Sequence, residues 1–349
     1  MNRLLFSILC TSLWLVGCQK EDNSGTTTPC VQQTTLPDSI GKWRLDTFDL
    51  PKNERYNKDI FFVSDSTGFL LKDYYALFKT ANGGKTWTQL QGFSNNEIAE
   101  ESYFINEKVG FVSVFGRPTA RLLTTTDGGT TWENRIYNLN GTFNNIHFFD
   151  DKRGIALISA LYGSALITNI YQTTDQAKTW TPVRLPDSLS HKKALQFVNA
   201  QTGFCVINSN NADFLIKTTD GGSNWRGIGN LPQVFTQMKF MDEQNGIATT
   251  TTQVYMTNDG GLTWTARTDI TGYPNVLFAK SPTDLLAAVS TIQCDFKDYA
   301  TYQGQLMSME NGIWQKAKNV TNLEVNYPFF VNTNLGFGVW KDKLLRFKR

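Results

Sequence analysis

The chain has 349 residues, of which 40% are hydrophobic and 18% charged, with a formal net charge of +2. A balance so close to neutral excludes the basic footprint of a nucleic-acid-binding protein, and beyond the first residues no apolar run is long enough for a membrane-spanning helix. Two histidines and five cysteines leave little material for histidine chemistry, and no Gly-rich phosphate loop or metal-ligand spacing occurs, so no cofactor or metal is expected.

In chain order, Arg3 and the 13 apolar-rich residues Leu4 to Val16 have the layout of an export signal. The segment ends in Leu15-Val16-Gly17-Cys18, which resembles the lipobox of bacterial lipoproteins. That resemblance implies removal of residues 1–17 and a lipid chain on Cys18. The Gln19-Lys20-Glu21-Asp22 that follows resembles a short export signal of some outer-membrane lipoproteins, which implies an outer-membrane, cell-surface location. Residues 18–38 carry almost no large apolar side chains and read as a flexible tether, with residues 39–349 as the folded domain. Cys205 lies in an apolar strand and reads as core, whereas the sequence leaves a Cys30–Cys294 disulfide open.

The folded part is a repeat. Phe62, Phe104, Phe148, Phe197, Phe240, Phe278 and Phe330 each stand six residues before Gly68, Gly110, Gly154, Gly203, Gly246, Asp284 or Gly336. Apolar residues flank both positions, so each segment reads as a strand, a turn and a second strand. The glycine is expected to supply positive φ, with Asp284 as its one substitute. Between these segments recur motifs such as TTDGGTTW, ending at Trp87, Trp132, Trp180, Trp225, Trp264 and, in degenerate form, Trp314. Four short antiparallel strands every 40 to 50 residues are the pattern of a propeller blade. Seven A–B pairs against six C–D motifs are reconciled if the strand around Trp43 completes a last blade begun at the C-terminus. The expected fold is all-β, a seven-bladed β-propeller closed by an N-terminal strand.

The motif resembles the Asp-box, or bacterial neuraminidase repeat, best matched by Thr125 to Trp132. Its aspartate can hold a hairpin through backbone hydrogen bonds, its glycines permit tight turns, and its tryptophan packs between sheets. A group repeated in nearly every blade is a folding element, since a catalytic group is needed once. Asp175 is followed by Gln176-Ala177, so a different turn is expected there.

Function is then sought on the opposite rim, built from the B–C and D–A connections. Candidate binding residues are Tyr74, Tyr75, Arg117, Tyr162, Tyr299 and Tyr302, with no catalytic residue singled out. Sialidases share the Asp-box, but their Phe-Arg-Ile-Pro start is absent and Phe115-Gly116-Arg117-Pro118 is a superficial echo. The pattern of Phe–Gly pairs with Asp-boxes is more similar to the photosystem II assembly and stability factor family of seven-bladed propellers. That resemblance implies a non-enzymatic scaffold that holds a partner, and not photosynthesis itself. The sequence thus favours a lipid-anchored, exported module binding a protein or glycan. The alternative is a glycoside hydrolase, sialidase-like or using two carboxylates such as Asp73 and Asp298.

Overall fold

Each phenylalanine–glycine pair becomes one rung of an antiparallel ladder. In the computed structural model Phe62 lies opposite Gly68, Phe104 opposite Gly110, Phe148 opposite Gly154, Phe197 opposite Gly203, Phe240 opposite Gly246 and Phe330 opposite Gly336. The structure describes residues 35–52, 57–72, 76–92, 98–115, 119–162, 165–183, 191–209, 212–270, 272–293, 301–317, 320–321 and 323–349. The signal segment, Cys18, Cys30 and Cys294 lie outside the described residues.

Strands A to D of blade one are Asn57–Phe62, Gly68–Lys72, Ala76–Thr80 and Thr88–Gln89. Blade two follows with Ile98–Phe104, Gly110–Phe115, Ala120–Thr125 and Glu133–Tyr137, and blade three with Thr142–Phe148, Gly154–Tyr162, Ala165–Thr173 and Thr181–Pro182. Blade four runs His191–Phe197, Gly203–Ser209, Ala212–Thr218 and Arg226–Asn230; blade five is the shortest, Gln237–Phe240, Gly246–Thr249, Val254–Thr257 and Thr265–Arg267. Blade six has Tyr273–Ser281, Asp284–Gln293, Thr301–Glu310 and Ile313–Lys316, with Val320–Thr321 also paired to its third strand. The last sheet joins Asn326–Asn332, Leu335–Trp340 and Lys343–Lys348 to the N-terminal strand Trp43–Asp49, edged by Ser39–Ile40. Strand A of blade seven packs beside strand A of blade one, so the seven sheets close into a ring. The expected seven-bladed, all-β propeller with an N-terminal closing strand is the observed fold.

The repeat glycines do not supply positive φ; those at the Phe–Gly rungs are absent from the left-handed residues. They are notches. A Cβ on Gly68, Gly110, Gly203 or Gly336 would stand 2.5, 2.2, 2.6 or 2.2 Å from the phenylalanine ring opposite. The same ring meets the tryptophan of its own blade edge-on, as in Phe62–Trp87 at 6.2 Å, Phe104–Trp132 at 6.3 Å, Phe197–Trp225 at 6.1 Å and Phe240–Trp264 at 5.9 Å. Its other side faces the preceding blade. Phe62 stacks on Phe337, Phe104 on Phe69 and Phe240 on Phe204, with centroids 3.5, 3.4 and 3.5 Å apart.

Blade six departs from this scheme. Its strand A runs past Phe278, and Ser281 pairs with Asp284 across a tighter turn, so Asp284 is no stand-in for glycine. Its carboxylate instead pairs with both terminal nitrogens of Arg349, whose guanidinium lies 4.2 Å over Trp43. The MENGIW segment is not an Asp-box either. It is a two-residue hairpin between Glu310 and Ile313, with Asn311 and Gly312 at φ 51° and 81°.

In the true boxes one threonine and one carboxylate organise the turn. Thr125 Oγ1 donates to Asp127 at 2.8 Å and accepts the Gly129 N–H at 2.9 Å. Asp127 accepts the Thr131 N–H at 2.9 Å and the Thr131 hydroxyl at 2.6 Å. The contact reaches four residues on. Asp175, Asp220 and Asp259 repeat it, and Asn82 makes the version available to an amide. Gln176 and Ala177 adopt φ 60° and 58°, so blade three uses the same turn as the Gly-Gly boxes, contrary to expectation. The first residue of each turn pair donates to the A–B turn of its own blade, as in Gly83 to Ser66 and Gly128 to Lys108, both at 2.8 Å. Both turns therefore share one rim.

Closure rests on six rungs from Arg44–Lys348 to Asp49–Lys343. Trp43 is fully buried and meets Phe278 and Phe330 edge-on at 5.2 and 5.6 Å. Arg346 reinforces the ladder by donating to Asp46 at 2.6 Å, and this hydrogen bond holds the Asp46 carboxyl below its ordinary pKa.

If the glycine is a notch, Gly110→Ala overpacks the Phe104 ring and costs about 1–3 kcal/mol. Pairing it with Phe104→Leu should return part of that loss. Urea titration of the single and double variants measures both, and equal midpoints for wild type and Gly110→Ala would refute the notch.

Candidate functional site

The Asp-box rim is chemically committed. The side chain and backbone of Thr131 hold the Asp127 carboxyl at a pKa of about 2. For Asp259, partial burial opposes the hydrogen bonds of Thr263 and Thr257, yet its pKa is also lowered to about 2. Asp175 and Asp220 are shifted down in the same way. A general acid at neutral pH needs the opposite shift, so these carboxylates build turns.

The inner wall is formed by the A strands, and most of the residues that precede the repeat phenylalanines contact the next blade along it. These residues are Phe61, Tyr103, His147, Gln196, Lys239, Leu277 and Phe329. Phe329, Phe61, Tyr103 and His147 form a continuous aromatic arc, with successive centroids 4.6, 5.3 and 6.1 Å apart. Tyr103 and Gln196 clip the next blade: the Tyr103 hydroxyl accepts from Phe148 N at 3.2 Å, and Gln196 Nε2 donates to Phe240 O at 2.7 Å. His147 stacks on Phe197 at 5.5 Å and is a packed strand residue. Burial lowers its pKa to about 4. Lys239 lies 5.9 Å over Phe330, and burial lowers its pKa too.

A polar belt runs two residues further from the Asp-box rim. Ser102 N donates to Asp59 at 3.2 Å, Asn145 N to Glu101 at 2.6 Å, and Asn275 Nδ2 to Val325 O at 2.7 Å. Tyr327 closes the belt by donating to Asn57 O at 2.6 Å. These polar side chains tie blades together along the wall.

On the rim opposite the boxes, Tyr162 and Tyr302 stand in the B–C hairpins of blades three and six, opposite Ala165 and Ile292. They share a rim but belong to separate blades. Tyr74, Tyr75, Arg117 and Tyr299 lie outside the described residues, as do Asp73, Asp298 and Arg184. Of the other loop residues, Tyr137 is withdrawn from the surface: its hydroxyl donates to Ala177 O at 2.5 Å, and burial pushes its pKa up to about 12. Arg267 is tied to Asp269 at 2.5 Å and lies 5.9 Å over Trp314, which makes it structural. Exposed apolar surface on this side comes instead from Val234, Tyr273 and Tyr327, at 59, 39 and 36% exposure. Tyr273 opens strand A of blade six, and Tyr327 is the second residue of strand A of blade seven. A tyrosine at the start of two successive repeats was the available sequence signal, and Tyr327 was not read from it.

The signs of these shifts set the acid response. The unfolded chain protonates His147 near 6.5 but the folded chain only near 4, so folding loses stability as pH falls through that interval. The box carboxylates contribute stability above their ordinary 3.8, and it is lost as pH falls towards 2. Urea midpoints of wild type should therefore decline from pH 6.5 to 4.5. The decline should be shallower in His147→Phe, and an identical slope would remove His147 from the acid response.

Residues 38–184 match the sequence profile of the family described as "Photosynthesis system II assembly factor YCF48". No curated protein matches the chain. Among solved structures, a YCF48 bound to a D1 peptide aligns with a TM-score of 0.64 and 19% identity, over 90% of this chain and 99% of that one. YCF48 from Cyanidioschyzon merolae aligns with a TM-score of 0.64 and 18% identity, over 88% of this chain and 98% of that one. An ancestral GH74 enzyme aligns less well, with a TM-score of 0.52 and 16% identity over 78% of this chain and 39% of that one. Identities this low establish the fold and nothing more. The chain is a YCF48-like seven-bladed β-propeller.

Proposed function

We propose that the protein is an exported, lipid-anchored propeller that holds a protein or glycan partner on the rim opposite the Asp-box turns and catalyses no reaction. The observation that carries this is the near full-length likeness to a YCF48 structure containing a bound D1 peptide. The commitment of the box carboxylates to turn geometry agrees with it, since their lowered pKa values suit hairpins and not acid catalysis. Tyrosines carry the recognition, because a ring with a polar tip serves a surface that is dry when occupied and wet when free. Tyr74, Tyr75, Arg117, Tyr162, Tyr299 and Tyr302 are assigned to that face, joined by Tyr273 and Tyr327. A protein partner is favoured over a glycan by the same D1-peptide likeness. Anchoring at Cys18 places the module at the outer membrane.

Capture of native partners from detergent extracts tests the face. Tyr299→Ala with Tyr302→Ala should reduce capture roughly tenfold or more while leaving the melting temperature in place. Undiminished capture would take these tyrosines out of the interface. Anchoring is read separately by fractionation: Cys18→Ala should move the protein from membranes to the soluble fraction, and continued membrane association would refute the lipid anchor.

A further inference from the structure

At two seams, neighbouring blades are tied at the Asp-box rim by a glutamate three residues after the repeat phenylalanine. Between blades one and two, Glu107 accepts from Thr67 Oγ1 at 2.9 Å and from Ser64 Oγ at 3.2 Å. Between blades four and five, Glu243 accepts from Thr202 Oγ1 at 3.0 Å and from Asn199 Nδ2 at 3.1 Å. In both cases a carboxylate of the following blade reaches into the A–B turn of the preceding one. The donors stand two residues after that turn's phenylalanine and one residue before its glycine.

At the seam between blades seven and one the same positions are Asp65, Asn332 and Leu335. Asn332 holds its turn as Asn199 does: Asn332 Oδ1 accepts the Asn334 N–H at 2.8 Å, and Asn199 Oδ1 the Gln201 N–H at 2.8 Å. Asp65, however, is one methylene shorter than Glu107 and Glu243, and Leu335 has no hydroxyl to donate. Among the described residues the Asp65 carboxylate enters no hydrogen bond or ion pair, and neither does the Lys348 ammonium. What lies between them is a cavity of about 250 Å³, lined also by Arg346 and Arg349. Arg346 gives its Nε and Nη2 to Asp46 at 3.1 and 2.6 Å, which leaves Nη1 on the rim beside Gly83.

We propose that this seam cavity binds a carboxylate. The ligand group takes the place that the Glu107 and Glu243 carboxylates hold at the sister junctions. It accepts from Asn332 Nδ2, pairs with Lys348 and lays a short apolar stem against Leu335. Arg346 and Arg349 are paired with Asp46 and Asp284, so among the described residues Lys348 is the wall's uncommitted cation, and with the Asn332 amide it sets the sign of the ligand. Either a free short-chain acid or a glutamate side chain of a docked protein presents this chemistry. The site lies on the rim away from the proposed partner face and stands independently of it.

The full chain is melted in sodium acetate, in acetyl-glutamate amide and in sodium chloride at matched ionic strength. A saturable rise in melting temperature above chloride is expected. Lys348→Met and Asn332→Leu should each weaken the apparent affinity roughly tenfold, the loss of one charge-assisted hydrogen bond. Asp65→Glu supplies the carboxylate from within the chain, so it should melt higher in chloride and no longer respond. A response to acetate assigns the site to free acids, and a response to acetyl-glutamate amide alone assigns it to a protein side chain. Equal melting in all three salts, or an equal rise in wild type and Asp65→Glu, overturns the proposal.

Discussion

One three-way contact sets the geometry of the ring. In six of the seven blades a phenylalanine near the end of the inner strand lies flat on the glycine opposite, meets its blade's tryptophan edge-on and, in most blades, presses an apolar residue of the blade before. Burying such a ring contributes about 2–3 kcal/mol, and each aromatic pair adds roughly 0.5–1.5 kcal/mol. The contact joins strand A to strand B, strand A to strand D, and one blade to the next. Turns are free to vary around it. Blade six replaces both its hairpins, yet Phe278 still meets a tryptophan, because Trp43 arrives from the closing strand at 5.2 Å.

The Asp-box rim and the opposite rim have been given different tasks by the same repeat. On the box side every polar group of the motif is spent on the turn, so blade after blade repeats one geometry. On the other side hairpin length is unconstrained: strand B has four residues in blade five and ten in blade six. Variation is tolerated where it does not disturb the aromatic contact, and recognition surfaces arise on such variable loops carried by a rigid scaffold.

Much of this was legible because spacing survives in sequence. The Phe–Gly interval marked the hairpins, the box marked strands C and D, and the surplus half-blade located the closing strand at Trp43. What spacing does not carry is the reason a residue is small. Gly110 reads equally as a turn residue and as a notch, and only the Phe104 ring standing over it decides. Gln176-Ala177 broke the Gly-Gly pattern without breaking the turn, because Thr173 and Asp175 supply the hydrogen bonds that hold it. Asp284 looked like a glycine substitute because its partner Arg349 is 65 residues away in sequence. The candidate face was the least legible part. Tyrosines in loops carry no periodicity, and only burial separates Tyr137, whose hydroxyl clips the next blade, from the exposed ring of Tyr273.

The closing strand has a consequence for how the molecule is made. Trp43–Asp49 is synthesised long before its ladder partner Lys343–Lys348, and the Asp46–Arg346 pair spans 300 positions. Until then the early strand has an unsatisfied edge and an exposed tryptophan, which is the form in which chains find each other instead of themselves. Contacts this distant in sequence slow the final step of folding. The ring has no end repeat to fray, so native stability comes late and all together, and the nascent chain is most vulnerable until Lys343–Lys348 is available to pair.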